Sequence, residues 1–378
     1  MSADSKRGTV LMVADSERDA NMLHATGLFA PDAFIYLKTK GEATIFASDL
    51  EIDRARRQSH CRVEALSAMQ EKLRARGARH PGFAEVIVEA LRQRRARRVM
   101  APENFPLGLA RQLEAAGVRV TPRGDLFSER EFKTAEQARK ISASLRMAEA
   151  GMAEAMRILR ASKIGKGGKL MHEGRRLTSE RVREGIDCAI LQAGGLAAHT
   201  IVAGGRQACD PHECGHGPLR ANELIILDIF PRAQATGYFG DITRTVVRGR
   251  ASEAARRLYG TVLQGQRLAF GKLQPGAAAA GVHHAVEKFF EGRGYRTGRR
   301  HGRMEGFFHG TGHGLGLEIH EAPRVGSTAK GRLKAGQVVT VEPGLYYPEI
   351  GGARLEDVAW ITASGAKNLT RFEKRLEI

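Results

Sequence analysis

A carboxylate stands in the middle of an apolar run at Leu224–Phe230 (LIILDIF), where Asp228 is flanked by Ile225, Ile226, Leu227 and Ile229. A short run of branched aliphatic residues reads as a buried strand, and a buried carboxylate is costly unless it is paired or bound to a cation. The pattern recurs further on. Asp241 precedes the strand-like Thr243–Arg248, Glu342 follows Thr340–Val341 and leads into Pro343–Gly344, and Glu356 lies in GARLED with Arg354 and Asp357. Singly, each acid has a plain reading as a turn cap or as the partner of an arginine such as Arg244. Together Asp228 and Asp241 make a metal site one reading beside those plain ones. Among them lies His309-Gly-Thr-Gly-His313-Gly-Leu-Gly-Leu-Glu-Ile-His320-Glu321, three histidines in a glycine-rich, non-helical stretch. Glycines let a backbone approach a site closely and adopt positive φ. The spacing is not the His-Glu-x-x-His of a helical zinc protease, which excludes that class.

With 378 residues the chain is expected to form two domains, at roughly 100–200 residues each. No stretch approaches the ~18 uncharged apolar residues of a membrane-spanning helix. The apolar run Val10–Ala14 behind Lys6–Arg7 is too short for a secretory segment. The four cysteines, Cys61, Cys188, Cys209 and Cys214, are too few for a disulfide-stapled scaffold. These features predict a soluble, cytoplasmic protein. Sixty Lys+Arg against 42 Asp+Glu leave a formal charge of +18, a surplus that attracts anionic partners. The basic clusters Arg92–Arg98 and Arg293–Arg303 contain only Tyr295 as an interleaved aromatic. Without stacking platforms beside the charge, nucleic acid is not the expected partner.

The first third alternates strand-like runs (Gly8–Ala14, Ala33–Lys38, Ala43–Ala47) with helix-like ones (Asp49–Ala65, Phe83–Arg98), and Arg98–Ala101 opens another strand. That alternation predicts an α/β domain over residues 1–130. Thr134 and Gln137 have the spacing of a capping box. Ala138, Ile141, Leu145, Ala148, Met152, Met156 and Leu159 then build one apolar helical stripe that opens a second domain, 131–378. Further helices are expected over Thr178–Gln192, from Ser252 to Phe270, and over Val282–Phe290, with strands at Leu224–Phe230, Thr243–Arg248, Val338–Val341 and Val358–Thr362. Lys163–Lys169 (KIGKGGK) lacks the Gly-Lys-Ser/Thr ending of a phosphate-binding loop.

The stretch HGTGHGLGLEIHE, with TVEPG and GARLED behind it and LDIF…GDITRT ahead, resembles peptidase family M24, the Xaa-Pro aminopeptidases and Xaa-Pro dipeptidases. The resemblance extends over essentially the whole chain. It implies an α+β "pita-bread" catalytic domain, as in creatinase and methionyl aminopeptidase, preceded by a smaller α/β creatinase/prolidase-like domain. Methionyl aminopeptidases normally lack such a front domain. Carried over position by position, the family's five metal ligands fall on Asp228, Asp241, His313, Glu342 and Glu356. Asp241 and Glu356 would bridge two divalent ions. His320 falls on the catalytic histidine, Glu342 would also serve as general base, and His212 and His309 fall on histidines facing the substrate. Arg354 stands where the family usually has an arginine.

The resemblance implies a dinuclear metal-dependent exopeptidase that hydrolyses Xaa-Pro bonds with a hydroxide held between the ions, acting on peptides, with dimerisation common in the family. Mostly oxygen ligands with one imidazole favour Mn²⁺ and permit Co²⁺, Fe²⁺ or Zn²⁺. Alternatives are a hydrolase of the same fold with a non-proline substrate and a non-catalytic binding protein. Two features depart from the family pattern. Asp228 and Asp241 are two residues further apart than usual, which predicts a longer turn within Pro231–Gly237. Cys209, His212, Cys214 and His216 form an additional cluster, CDPHECGH. As a mononuclear zinc site its one-residue gaps strain tetrahedral closure.

Overall fold

A computed structural model describes residues 8–378 of the chain. They divide into two compact units, one ending at Arg130 and the other spanning Glu131–Ile378.

The first unit is built on a six-stranded mixed sheet, in the order β4-β3-β2-β1-β5-β6. Its strands are β1 (Val10–Ala14), β2 (Phe34–Thr39), β3 (Glu42–Ala47), β4 (Arg62–Ala65), β5 (Arg98–Ala101) and β6 (Arg119–Pro122). β1, β2 and β3 pair antiparallel, whereas β4, β5 and β6 join in parallel. Successive side chains of a strand point to opposite faces. In β1, Leu11 and Val13 accordingly enter one apolar cluster with Ile35, Leu37 and Phe46. Val10 and Met12 enter another with Phe34, Tyr36 and Ile45. Burial on both faces explains why these strands read as unbroken apolar runs. Helices α1 (Ala20–Thr26), α2 (Ile52–Gln58), α3 (Leu66–Arg74), α4 (Phe83–Gln93) and α5 (Leu107–Ala115) complete the unit.

Two expected boundaries are corrected here. The single helix expected over Asp49–Ala65 is α2 followed by β4, because Ser59 breaks it: its hydroxyl donates to the Thr26 carbonyl and accepts from the Cys61 N–H. The helix expected to reach Arg98 stops at Gln93, and Arg95 turns the chain with φ 53°.

The second unit opens with α6 (Ala135–Ala161), whose capping box is formed as the sequence predicts: Thr134 Oγ1 accepts from the Gln137 N–H and Gln137 Oε1 from the Thr134 N–H. All seven residues of the expected stripe are buried. Its residues from Ala148 to Leu159 pack with Val182, Ile186 and Ile190 of α7 (Ser179–Gln192) and with Ile225, Leu227 and Ile229. α8 (Glu253–Lys272), capped by Ser252, and α9 (Ala279–Gly292) enclose a second cluster with Val339, Val341 and Leu355. Between these helical layers lie a three-stranded antiparallel sheet with Ile225–Ile229 at its centre and a five-stranded sheet that includes Gly312–Gly314, Val338–Val341 and Asp357–Thr362. Among the described residues no helix is long and apolar enough to cross a membrane.

Candidate metal centre

Each acid singled out above lies on or beside a strand of these two sheets. Asp228 sits within Ile225–Ile229, in register with Thr243 of the neighbouring strand Ile242–Val246. Residues two apart share a face of a strand, so Asp241, Thr243 and Asp228 all look the same way. From the other sheet come His313 in Gly312–Gly314, Glu342 immediately after Val338–Val341, and Glu356 just before Asp357–Thr362. Backbone hydrogen bonds fix the joins: the Glu356 N–H donates to the Thr243 carbonyl at 3.0 Å and the Glu342 N–H to the Thr311 carbonyl at 2.8 Å.

Asp241, His313 and Glu356 are buried and present ligand atoms all within 4.8 Å of one another. His313 Nδ1 faces the Gly314 carbonyl at 3.1 Å and donates to it. Its Nε2 lone pair is thereby aimed at Glu342 Oε1, 3.3 Å away, and Asp241 Oδ2, 3.7 Å away. An imidazole whose other nitrogen is tied down in this way is prepared for a metal. Asp228 joins the group through Thr243, whose Oγ1 lies 2.9 Å from Asp228 Oδ1 and 2.8 Å from Glu356 Oε2. The remaining oxygen, Glu356 Oε1, is buried and has no hydrogen-bond partner.

The electrostatics follow from this crowding. Burial first, then the neighbouring carboxylates, push Asp241 and Glu356 well above the usual carboxylate range. Burial raises Glu342 to about 7 against the opposing pull of Arg354. Burial drives His313 down to about 4, so its imidazole is neutral near pH 7. Several carboxylates therefore crowd around one imidazole, with the Thr243 hydroxyl shared between two of them and one oxygen unpaired. That donor set suits divalent cations, which supply the missing positive charge.

Arg354 Nη2 donates to Asp228 Oδ2 at 2.7 Å and its Nη1 to the Tyr346 hydroxyl at 3.0 Å. The guanidinium thus holds a proposed ligand in place from behind. Tyr346 in turn lies 2.8 Å from His309 Nε2, while His309 Nδ1 reaches the Gly310 carbonyl at 2.8 Å. Burial and Arg354 lower His309 to about 3, which keeps the ring neutral. His320 is exposed, and its ring packs edge-on against His313 with centroids 4.4 Å apart. His212 is also exposed.

The profile of metallopeptidase family M24 matches residues 139–363, more than half of the chain. The chain belongs to metallopeptidase family M24. Its curated relatives include the Xaa-Pro dipeptidase of Pyrococcus furiosus, 37% identical over 181 residues, about half of either chain (48% of this one and 49% of that one). The Xaa-Pro dipeptidase of Pyrococcus horikoshii is 28% identical over 95% of this chain and 92% of its own length. Among solved structures, the prolidase from Pyrococcus horikoshii superposes with a TM-score of 0.80 at 25% identity, over 99% of this chain and 96% of that one. The X-Pro aminopeptidase from Thermotoga maritima reaches a TM-score of 0.82 at 21% identity, over 98% of each. The fold of this M24 chain is the pita-bread catalytic fold behind a smaller amino-terminal domain, as the resemblance implied.

Sequence reading missed two hydroxyl groups of this M24 site. Thr243 was legible as the residue two after Asp241 on one strand face, and Tyr346 stands four residues after Glu342. The zinc reading of Cys209, His212, Cys214 and His216 is not supported. Among the described residues only Asp241, His313 and Glu356 form a group of three or more candidate ligands within reach of one another. Cys209 packs instead among Ile201, Ala203, Ala208, Ile226 and Tyr346, and burial pushes its thiol up to about 12. His216 is exposed, with its backbone held by Gln207. The longer stretch between Asp228 and Asp241 forms a compact turn in which Arg232 bridges Phe239 and Arg232 Nε donates to the Gly237 carbonyl.

Proposed function

We propose that this chain is a dinuclear metal-dependent exopeptidase that hydrolyses Xaa-Pro bonds in peptides, with residues 131–378 as the catalytic domain and 1–130 as a creatinase-like front domain. The observation that carries this reading is the convergence of Asp241, His313 and Glu356, flanked by Glu342 and by Asp228. Asp228, Asp241, His313, Glu342 and Glu356 are the proposed ligands. Their four carboxylates balance two divalent cations, and an oxygen-rich set with one imidazole suits Mn²⁺, with Co²⁺, Fe²⁺ or Zn²⁺ compatible. Bound there, the ions would supply an activated water and polarise the scissile carbonyl.

The chain's own groups do the rest. Glu342 carries the proton to the leaving nitrogen, the general-base role that the family resemblance implies. Prolyl nitrogen has no N–H of its own in the peptide, so this protonation accompanies C–N cleavage. His320, at the open side of the site, donates a hydrogen bond to the developing oxyanion, an interaction worth ~3–4 kcal/mol in comparable sites. Arg354 orients Asp228 through the 2.7 Å contact. His309, with both ring nitrogens engaged, offers the substrate a neutral aromatic wall beside Phe307, Phe308 and Tyr346. His212 lines the exposed rim.

Turnover of an Xaa-Pro dipeptide is expected to vanish with a chelator and return with Mn²⁺, with metal analysis giving two ions per chain. Full turnover by metal-free protein refutes the proposal. A parallel panel of longer Xaa-Pro peptides and non-proline dipeptides separates aminopeptidase, dipeptidase and non-proline activities, and sedimentation tests the homodimer that the family resemblance implies.

A further inference from the structure

Behind the metal centre, on the face of Ile242–Val246 opposite Thr243, lies a wholly buried arginine. Arg244 is 1% exposed, and all five of its N–H donors are used. Nε donates to the Glu373 carbonyl at 2.9 Å. Nη1 donates to the carbonyls of Thr243 and Glu356 at 2.9 and 2.6 Å. Nη2 donates to Asp357 Oδ1 at 2.9 Å and to the Phe372 carbonyl at 2.7 Å. Its counter-charge, Asp357, is 1% exposed and is further held by Asn368 Nδ2 at 2.9 Å and by Lys374.

These acceptors fall into two groups. Thr243 and Glu356 are the residues whose side chains meet at the centre, and their backbones are already joined by the Glu356 N–H bond to the Thr243 carbonyl. Phe372 and Glu373 belong to the C-terminal segment, which runs on beside Val247: the Val247 N–H donates to the Leu376 carbonyl and the Ile378 N–H to the Val247 carbonyl. One rigid, planar guanidinium therefore ties this segment to the backbone that presents a bridging ligand and the hydroxyl beside it. Lysine cannot reproduce the arrangement, because it offers three donors from a single point where arginine offers five in a fixed fork.

We propose that Arg244, with Asp357 as its buried counter-charge, is a positioning residue for the metal centre, holding Thr243 and Glu356 in place by anchoring them to the C-terminal segment. This rests on the reading of Glu356 as a metal ligand. It assigns a task to two charges that touch neither substrate nor metal, and it makes metal affinity depend on a segment on the far side of the sheet.

The test is calorimetric titration of Mn²⁺ into metal-free full-length protein, below the melting temperature and with folding checked by circular dichroism. Groups that orient metal ligands typically contribute about 10–100-fold in affinity, so Arg244→Lys and Asp357→Asn are each expected to raise the Mn²⁺ Kd by about tenfold or more. Glu373→Ala is expected to leave the Kd unchanged, because Glu373 contributes only its main-chain carbonyl to Arg244. A purely structural staple would lower the melting temperature and leave the Kd of the folded protein alone. Folded variants with a Kd within about twofold of wild type, well under the orienting effect, overturn the positioning role. If Arg244→Lys does not fold, Asp357→Asn, which keeps the shape and one acceptor, decides the matter. Wild-type protein that binds none of Mn²⁺, Co²⁺, Fe²⁺ and Zn²⁺ overturns the metal reading and this inference with it, whereas indifferent variants of a metal-binding wild type overturn only the inference.

Discussion

Replacing Glu342 by Gln is expected to stabilise the protein when metal is withheld and to weaken it when metal is present. The carboxyl of Glu342 is raised by burial from 4.5 to about 7 in the folded, metal-free chain. A folded-state value above the unfolded one means that its favourable contribution is complete below the unfolded pKa and is lost as pH rises through about 7. At about 1.4 kcal/mol per tenfold change in proton affinity, the full loss is about 3 kcal/mol, an upper bound because the neighbouring acids titrate along with it. Gln mimics the protonated form and escapes that loss. Scanning calorimetry in chelator should therefore show the variant melting several degrees higher than wild type at about pH 8, since 1 kcal/mol moves Tm by roughly 2–4 °C in a chain of this class. At about pH 4 the two should coincide. Saturating Mn²⁺ should reverse the order, because an ion at a thousand times its Kd adds about 4.1 kcal/mol, more than the ~3 kcal/mol at stake, and the variant has lost a metal-binding group. A variant that melts below wild type in chelator at both pH values refutes the account of Glu342 as a buried acid held against its neighbours.

Thr243→Val removes the hydroxyl shared by Asp228 and Glu356. A hydrogen bond to a charged group is worth ~1.5–3 kcal/mol, so Mn²⁺ affinity by titration should fall by about 10- to 150-fold, and an unchanged affinity contradicts the role given to Thr243. Gly240→Ala would place a Cβ 2.5 Å from the Ser144 carbonyl on α6, a backbone contact that cannot swing aside. The resulting overpacking should cost about 1–3 kcal/mol in unfolding experiments and, because Asp241 is the next residue, also weaken metal binding. A stable variant with wild-type affinity would show that this close approach is unimportant.

The elements were legible where side-chain periodicity was strong. The stripe from Ala138 to Leu159, the Thr134 capping box and the apolar strand around Asp228 all have the structure their spacing implies. Boundaries failed where a single polar contact decided them. Ser59 ends α2 by bonding to Thr26, 33 residues earlier in the chain, and no local pattern reveals that partner. The CDPHECGH cluster shows a related limit: ligand spacing says which residues are near in sequence, whereas burial turned Cys209 into a core residue.

The sequence by itself narrowed the chemistry, because a carboxylate inside an apolar run has few stable fates, and the motifs shared with family M24 made metal binding the expectation among them. It also determined the strand faces, since the period of two puts Asp241 and Thr243 side by side. Only the tertiary structure decided which groups support that chemistry from behind. Arg354 behind Asp228, Tyr346 behind His309, and Arg244 behind Thr243 and Glu356 act across separations of up to 126 residues in the chain. Hydrogen bonds of that range depend on sheet register and on which face of a strand a neighbour covers, and neither is written into any local stretch of sequence.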